Sequence, residues 1–325
     1  MNRRLFVFLT VAIALPLPGQ APPPKSRSWT MPRTSDGHPD LQGIWTNATL
    51  TPLERPDVAT KLALTDAEAV TYEKQRLETG NMDRRDGGAE ADVARAYNDL
   101  FYDRGAQLAR VDGTKRTSMI VDPPDGKLPP LTSAAQARLD EIRAHARMHP
   151  ADVPADRSLA ERCLLWGTAG PPMLPGPYNN TYQIVQAPGY VMIMVEMIHD
   201  VRIIPTDGRA HVSKDVRLWM GDSVGHWEGD TLVVDTTNFS SKTRFRGSSE
   251  NLHLIERFTR TGGDAILYKF TVEDPAAFLK PWTAELPFVA ASGSIYEYAC
   301  HEGNYALGDI LRGARADEKA TAGRN

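Results

Sequence analysis

The 325-residue sequence contains little cysteine and no surplus of positive charge. Its two cysteines are Cys163 and Cys300. An even pair in an oxidising compartment favours a disulfide between them, and two separate buried thiols are the alternative. The formal net charge is −4, which disfavours a nucleic-acid or anionic-membrane surface because such partners attract basic proteins. We therefore expect no nucleic-acid partner.

The motifs of several enzyme classes are absent as well. The sequence has no G-x-S-x-G nucleophile elbow, no phosphate-binding loop ending in Lys-Ser or Lys-Thr, and no C-x-x-C-H haem attachment. The compact metal motifs H-x-H, HExxH and C-x-x-C are also missing. The sequence therefore predicts chemistry without a cofactor. Histidines and carboxylates from distant segments would still suit zinc or iron, so a metal-dependent enzyme is an alternative.

Long apolar runs are missing from all of the chain except its N-terminus. Arg3 and Arg4 precede an apolar stretch over residues 5–17, and small or turn-forming residues follow as far as Ala21. A bilayer span takes about 20 apolar residues, so this stretch is too short. The order is typical of a signal peptide, with a retained anchor as the alternative. We expect cleavage after residues 1–21 and a periplasmic or secreted protein without a membrane span.

The composition and the predicted structure of the remaining chain change along its length. Residues 22–40 are rich in Pro, Ser, Arg and Lys and predict an extended linker. Residues 41–177 predict a first strand near 40–45 and then a helical region packed on a sheet. Apolar residues at helical spacing predict helices over three ranges, namely 66–80, 88–105 and 133–148. A frayed tail is expected over 306–325.

The second half of the chain predicts paired strands. Each β-type run is followed by a Gly-containing turn and a further β-type run, which is the pattern of a β-hairpin. About nine strands at regular spacing indicate a meander over 178–305, with its last strand at 294–300. The predicted fold class is mainly β, an antiparallel meander forming a barrel or strongly curved sheet, with an α-helical region in the N-terminal half.

Period-2 alternation places two carboxylates on apolar strand faces. Glu196 lies among methionines and an isoleucine, and Glu256 alternates with Leu254 and Phe258. A buried carboxylate must be paired or hydrogen-bonded, so both are candidate functional groups. The alternative for Glu196 is a structural ion pair with Arg202, and for Glu256 a pairing with other strand charges.

Histidines next to carboxylates or amides recur at the predicted strand ends. A histidine beside a carboxylate can shuttle a proton near neutral pH, and such groups at one mouth of a barrel suit general acid–base catalysis. The predicted catalytic residues are His199, Glu250, His253, Glu256, His301 and Glu302. The predicted substrate-binding residues are Glu196, Asn251, Asn304, Trp227 and Tyr298. A structural hydrogen-bonding role is the alternative for each histidine.

Five segments carry a resemblance that covers most of the mature chain. They are PRTSDGHPDLQGIWT from Pro32, NNTYQIV from Asn179, WEGDTLVVDTTNF from Trp227, ERFTR from Glu256 and YEYACHEGNY from Tyr296. They resemble a group of uncharacterised secreted bacterial proteins, which implies export but no activity. The segment Gly43-Ile44-Trp45 is similar to the G-x-W start of lipocalin-like barrels, which bind or transform small apolar molecules. The long helical insertion after it departs from a plain lipocalin.

These features predict a secreted enzyme that uses cofactor-free acid–base chemistry on an apolar or aromatic small molecule, as a lyase, hydratase or isomerase. A non-catalytic periplasmic ligand-binding protein is one alternative, and a metal-dependent enzyme with His and carboxylate ligands is another. Geometry separates the first two, because an enzyme is expected to hold a histidine and a carboxylate within about 3 Å of each other facing a cavity.

Overall fold

The computed structural model describes residues 29–95 and 98–323. The chain divides into Met1–Thr30 and Met31–Asn325, and every element named below lies in the second of these units. The signal peptide expected over residues 1–21 lies outside the described residues. Within the described ranges, no helix combines the length and the apolarity that crossing a membrane requires.

The described residues form thirteen strands, most of them in the second half of the chain. In chain order they are β1 (Gly43–Thr46), β2 (Ala63–Leu64), β3 (Arg110–Val111), β4 (Thr114–Arg116), β5 (Ile120–Asp122), β6 (Thr181–Ala187), β7 (Tyr190–Val195), β8 (Val201–Pro205), β9 (Asp222–Glu228), β10 (Thr231–Thr237), β11 (His253–Arg260), β12 (Ala265–Glu273) and β13 (Trp282–Ala290). Strands β2, β4 and β3 form a small separate sheet.

Nine strands form an antiparallel, nearly closed barrel in the order β8-β7-β6-β1-β13-β12-β11-β10-β9. The hairpins follow chain order, but β1 lies between β6 and β13, and β5 adds to the edge of β13. The end strands β8 and β9 face each other across what we call the seam. There the Arg202 guanidinium on β8 donates to Ser223 Oγ on β9 at 3.1 Å. The predicted mainly β fold class is confirmed.

Alternate side chains of the strands fill the barrel interior, as the period-2 pattern of the sequence predicts. On β12 and β13 the fully buried residues are Ile266, Tyr268, Phe270, Val272, Trp282, Ala284, Leu286 and Phe288. Each large apolar side chain buried in this way contributes about 1.5–3 kcal/mol relative to exposure. The interior is therefore a packed core, whereas lipocalin-like barrels use this space to hold a ligand.

The described part of the chain also contains four helices. They are α1 (Asp66–Gly80), α2 (Gly88–Ala94), α3 (Ser133–Met148) and α4 (Ala306–Ala322). Helix α1 begins at Asp66 because Thr65 and Glu68 form a capping box. Its Glu73 reaches the body of the protein through a largely buried ion pair with Lys115 at 2.5 Å.

The helix predicted over 88–105 is only partly correct. The structure has α2 and a separate 3-10 turn at Asp99–Phe101, and residues 96–97 lie outside the described ranges. Helical spacing over this range would put Val93 and Leu100 on one apolar face, but they are 81% and 89% exposed. A short helix without a packing partner gains little stability from its apolar period, which explains why it does not extend.

The strand predicted at 294–300 is wrong, because these residues form no strand. Strand β13 already pairs with β12 on one edge and with β1 and β5 on the other. No edge of β13 is left for another hairpin partner, so the chain crosses the barrel mouth as an irregular segment. It then continues into α4, within the range where the sequence predicts a tail.

Candidate functional site

The seam between β8 and β9 contains a cavity of about 320 Å³, which we call the seam pocket. Residues 200–203 and 218–223 form most of its wall. Asp200, Arg202 and Asp222 are the charged residues of this wall, and Ile203 and Trp219 provide apolar surface. The pocket exists because no backbone ladder joins the two strands in the sheet order.

Five side chains form a continuous chain of contacts across the outer face of the barrel, which we call the histidine–carboxylate array. It begins at the seam pocket, where Asp222 Oδ2 lies 2.7 Å from His211 Nδ1. The other nitrogen of His211, Nε2, lies 3.0 Å from Asp235 Oδ1. Asp235 Oδ2 lies 2.9 Å from His253 Nε2, and His253 Nδ1 lies 3.0 Å from Glu273 Oε2. The array thus joins a pocket wall to the protein surface.

The strand register explains how these residues meet. Asp235, His253 and Glu273 occupy outward-facing positions on β10, β11 and β12, and His253 is the direct register partner of Glu273. His211 comes from the loop between β8 and β9, which folds back over the sheet. Asn238 holds this loop by donating from Nδ2 to the carbonyl oxygen of Val212 at 3.1 Å.

The array holds opposite charges next to each other. The hydrogen bond with Asp235 raises the pKa of His253 above its ordinary value of 6.5, although partial burial acts against this effect. The same bond lowers the pKa of Asp235 below its ordinary value of 3.8. Both ring nitrogens of His253 face carboxylate oxygens, so only the imidazolium form donates both hydrogen bonds.

The second carboxyl group of the seam pocket behaves differently. Burial raises the pKa of Asp200 above its ordinary value of 3.8, and the charge of His199 only partly opposes this. Asp200 therefore retains a proton more readily than a solvated aspartate does. The pocket wall therefore combines Asp200, whose pKa is raised, with Asp222, which contacts His211 and accepts a hydrogen bond from the Val212 backbone N–H.

Behind the seam pocket, Arg202 and Glu256 form an ion pair inside the barrel. Arg202 Nη1 and Nη2 donate to the two Glu256 oxygens at 3.1 and 2.5 Å, and the Tyr268 hydroxyl donates to Oε1 at 2.7 Å. Glu256 is fully buried, as alternation predicts. Its oxygens are occupied by protein donors, so its place is structural rather than catalytic. Arg202 pairs with Glu256, and the alternative pairing with Glu196 is wrong.

A second group of the predicted residues meets at the barrel mouth, apart from the array. Cys163 and Cys300 form the expected disulfide, which fits a protein that folds in an oxidising compartment. His199 Nδ1 lies 3.0 Å from the carbonyl oxygen of Tyr298, and Asn304 Nδ2 lies 3.5 Å from Cys163 Sγ. Glu196 is buried in the same region, and its Oε1 accepts a hydrogen bond from the Tyr296 backbone N–H at 3.2 Å.

The other predicted residues join neither group. Trp227 stacks on His38 with ring centroids 4.6 Å apart. The remaining four, Glu250, Asn251, His301 and Glu302, are exposed. Of the predicted catalytic residues, only His253 belongs to the array. No convergence of all the predicted residues on one barrel mouth occurs within the described part of the chain.

Sequence reasoning did not place Asp222, His211, Asp235 or Glu273 in the site. Asp235 and Glu273 lie at outward-facing positions of strands that the sequence pattern does predict. The pattern could therefore have shown that both side chains face outward. Their register across strands is set by the three-dimensional pairing and cannot be obtained from alternation alone. His211 lies in a loop without any periodic pattern, and no signal in the sequence marks it.

Comparisons of the chain with protein-family models, with curated proteins and with solved structures find no match. The resemblance to secreted bacterial proteins therefore stays a prediction, and the functional argument is geometric. Within the described ranges, no group of three or more His, Cys, Asp or Glu side chains is arranged to hold a metal ion.

Proposed function

We propose that the protein is an enzyme that moves protons on a small molecule bound in the seam pocket, without a cofactor, as a lyase, hydratase or isomerase. One observation carries the proposal, namely that Asp222 belongs both to the pocket wall and to the histidine–carboxylate array. A titratable group in a cavity, held by a histidine and linked to the surface, is the arrangement that general acid–base catalysis requires.

The two pocket carboxyl groups have complementary roles in this proposal. Asp222 Oδ2 accepts hydrogen bonds from His211 and from the Val212 backbone N–H. Oδ1 has no such bond among the described residues, so it is the oxygen that removes a proton from substrate carbon. Asp200 gives its proton to the departing hydroxyl oxygen, so that C–H and C–O bonds break, a C=C bond forms and water leaves.

The array restores the protonation states between turnovers. Asp222 passes its proton to solvent through His211, Asp235 and His253, while Asp200 regains a proton from water. His211 and His253 do not contact the substrate in this scheme and are positioning residues. Hydration is the reverse of this elimination and uses the same two carboxyl groups with their acid and base roles exchanged. Isomerisation uses them to remove a proton from one carbon of the substrate and to add a proton at another.

The pocket wall favours an uncharged, largely apolar substrate. Ile203, Leu218 and Trp219 supply apolar surface around the two carboxyl groups. The positive charge of Arg202 is compensated by Glu256, so it offers little attraction to an anion. The disulfide further supports our proposal that residues 1–21 are a cleaved signal and that the protein acts in the periplasm or outside the cell.

Deuterium uptake from D₂O tests the proposal, because cofactor-free proton transfer at carbon labels the substrate. The purified protein is incubated with a panel of uncharged apolar alcohols and carbonyl compounds, and labelling is followed by NMR. Wild type is expected to label at least one compound, and Asp222→Asn is expected to slow labelling by about 100-fold or more. Asp230→Asn, an exposed aspartate, is the matched control. Absence of labelling across the panel, or an unaffected Asp222→Asn, contradicts the proposal.

Binding without catalysis is a second candidate, and one observation favours it. A groove of about 750 Å³ lies between the outer face of β12 and β13 and the turn that joins β3 to β4. Leu108, Leu267, Pro287 and Val289 give it an apolar surface, and its volume is typical of small-molecule sites. A naphthalene-based fluorescent probe is expected to bind in this groove, and Leu267→Asn is expected to lower the affinity of the protein for the probe. Equal affinity of the variant and wild type contradicts this function.

A further inference from the structure

A cavity of about 220 Å³ lies beside α1, and we call it the arginine pocket. Its wall includes residues 49–53, which follow β1, and residues 174–176, which precede β6. The charged side chains of the wall are those of Arg76, Arg104 and Arg246. Among the described residues no Asp or Glu contributes to this wall, although the formal net charge of the chain is −4. The pocket therefore concentrates positive charge in a protein that is acidic overall.

Arg76 and Arg104 lie close together at the C-terminal end of α1. Arg104 donates a hydrogen bond from Nη1 to the carbonyl oxygen of Gly80, the last residue of the helix. Arg76 precedes Gly80 by four residues, so the two occupy neighbouring positions on one face of α1. Both arginines also line a second cavity, of about 200 Å³, which shares Leu50 with the arginine pocket. Two guanidinium groups held near each other repel, and an anion between them turns this repulsion into attraction.

The three arginines differ in how far their charges are compensated. Arg104 forms an ion pair from Nη2 to Asp99 Oδ1 at 3.0 Å, and its guanidinium carbon lies 4.1 Å from the centre of the Tyr102 ring. The exposed side chains of Arg76 and Arg246 have neither an ion pair nor a hydrogen bond within the described part of the chain. The pocket therefore has one arginine in a fixed position and two whose charges are free to bind a ligand.

A short, anchored turn positions Arg246. Phe245 and Ser248 exchange two backbone hydrogen bonds, at 3.1 and 2.8 Å, so Arg246 is one of the two residues at the tip of the turn. Both flanking residues are almost fully buried, at 6% and 1% exposure. These buried ends hold the turn against the body of the protein, and the arginine at its tip lines the pocket. The third positive charge thus comes from a fixed backbone position.

The rest of the wall suits the organic part of a ligand. Leu50, Met119 and Leu174 are buried and give the pocket an apolar surface. Contact with such a surface favours an organic ligand over a bare inorganic ion, because it removes apolar groups from water. Thr168 also lines the pocket, and its hydroxyl group has no hydrogen-bond partner among the described residues. It is therefore available to donate to an oxygen atom of the ligand.

We propose that the arginine pocket binds the phosphate group of a small organic phosphate monoester. Such a group carries about −1.5 to −2 charge at pH 7 and three acceptor oxygens, which matches the two uncompensated guanidinium charges and the three arginines. Arginine binds phosphate through paired hydrogen bonds. A carboxylate carries a single charge and leaves half of the free positive charge uncompensated. This site is separate from the seam pocket, so the inference does not depend on the proposed acid–base function.

Isothermal titration calorimetry of the purified protein with phenyl phosphate, at neutral pH and low salt, tests the inference. Phenyl sulfate has the same shape with a single negative charge, and inorganic phosphate has the charge without the ring. Wild type is expected to bind phenyl phosphate at least about tenfold more tightly than either of these probes. Benzyl alcohol, a neutral aromatic probe, is expected to show no binding.

Replacement of single arginines tests the location of the site. Arg76→Gln and Arg246→Gln each remove one free charge and are expected to weaken the binding of phenyl phosphate about tenfold or more. Both positions are exposed, so the fold is expected to tolerate the change. Arg244→Gln is the matched control and is expected to leave the affinity unchanged. Arg244 is an exposed arginine of the same loop that does not line the pocket.

The inference is overturned if wild type shows no detectable binding of phenyl phosphate, or if Arg76→Gln or Arg246→Gln binds it with wild-type affinity. Equal affinity for phenyl sulfate also overturns it, because the second negative charge would then be irrelevant. Equal affinity for inorganic phosphate does so too, because the apolar wall would then contribute nothing. If Arg244→Gln weakens binding as much as the two pocket variants, binding depends on net charge alone and the proposed site is wrong.

Discussion

The carboxylate of Glu256 is held inside the barrel by hydrogen bonds from Arg202 and Tyr268. Removing it in Glu256→Ala leaves the Arg202 charge buried without its partner, which is expected to destabilise the fold by about 3–5 kcal/mol. Urea unfolding followed by circular dichroism measures this change.

The exposed ion pair of Arg257 with Glu228, 2.7 Å apart, provides the control. Glu228→Ala is expected to change the unfolding free energy far less than Glu256→Ala does, because solvent screens an exposed ion pair. The double replacement Arg202→Met with Glu256→Leu is expected to recover most of the lost stability, since it removes both charges. If the Glu256→Ala protein is as stable as the Glu228→Ala protein, the buried pair is not required for the stability of the fold.

The pair of His253 with Asp235 makes stability depend on pH. The folded pKa of His253 lies above 6.5, so its stabilisation is complete below that pH and is lost as the pH rises through the folded pKa. The folded pKa of Asp235 lies below 3.8, so its stabilisation is present above that pH and is lost as the pH falls through the folded pKa. The pair therefore contributes most to the unfolding free energy between pH 3.8 and pH 6.5.

Wild type is expected to lose unfolding free energy as the pH rises above 6.5, and His253→Gln is expected to remove part of that loss. Urea titrations at a series of pH values measure the difference from wild type. His226→Gln, at an exposed histidine paired with Glu228, is the control and is expected to follow the wild-type curve. A His253→Gln curve parallel to wild type would contradict the role of the pair.

At the residue level, the sequence predicts burial but not partners. Alternation puts Glu256 on the inner face of β11 and His253 on the outer face, and the structure has both there. The partner of Glu256 is Arg202, 54 residues away, and that contact crosses the seam of a barrel. Local patterns hold no information about such a distant pairing, which is why the array and the buried pair emerge only from the fold.

Residues 291–305 form an irregular element that is tied to the barrel by the disulfide between Cys163 and Cys300. Cys163→Ser with Cys300→Ser is expected to lower the unfolding free energy by about 2–5 kcal/mol. Hydrogen exchange should become faster in 291–305 through local opening, whereas β10, β11 and β12 should accelerate only as far as the lower global stability allows. Equal exchange of the segment in both proteins would show that other contacts hold it.

Elements formed by neighbouring residues are those that the sequence predicts well. The hairpin of β11 and β12 and helix α1 depend on a local turn and a local cap, and both occur as expected. The segment at 294–300 has equally β-like residues but no strand, because its place beside β13 is occupied by β1. Strand propensity is a property of single residues, whereas a segment forms a strand only if another strand has a free edge with which it can pair.

At the scale of the whole molecule, the closeness of β8 and β9 depends on Gly225. A Cβ atom at this position would lie 3.0 Å from Ile204 Cγ2 and 3.2 Å from Thr206 Cγ2. Gly225→Leu is expected to push the strands apart at a cost of about 1–3 kcal/mol and to speed hydrogen exchange in β8 and β9. Gly167→Ala, with no heavy atom within 4 Å, is the control. Unchanged exchange in Gly225→Leu would show that the seam is already loose.

The position of β1 has a consequence for how the protein is made. Trp45 on β1 pairs with Tyr182 on β6 and with Ala290 on β13, so the first strand of the described residues acquires its last neighbour only after β13 has been made. Contacts between such distant residues slow folding because long loops must close first. The barrel therefore cannot close around β1 until β13 has been made, however early the β6–β7 and β7–β8 hairpins form.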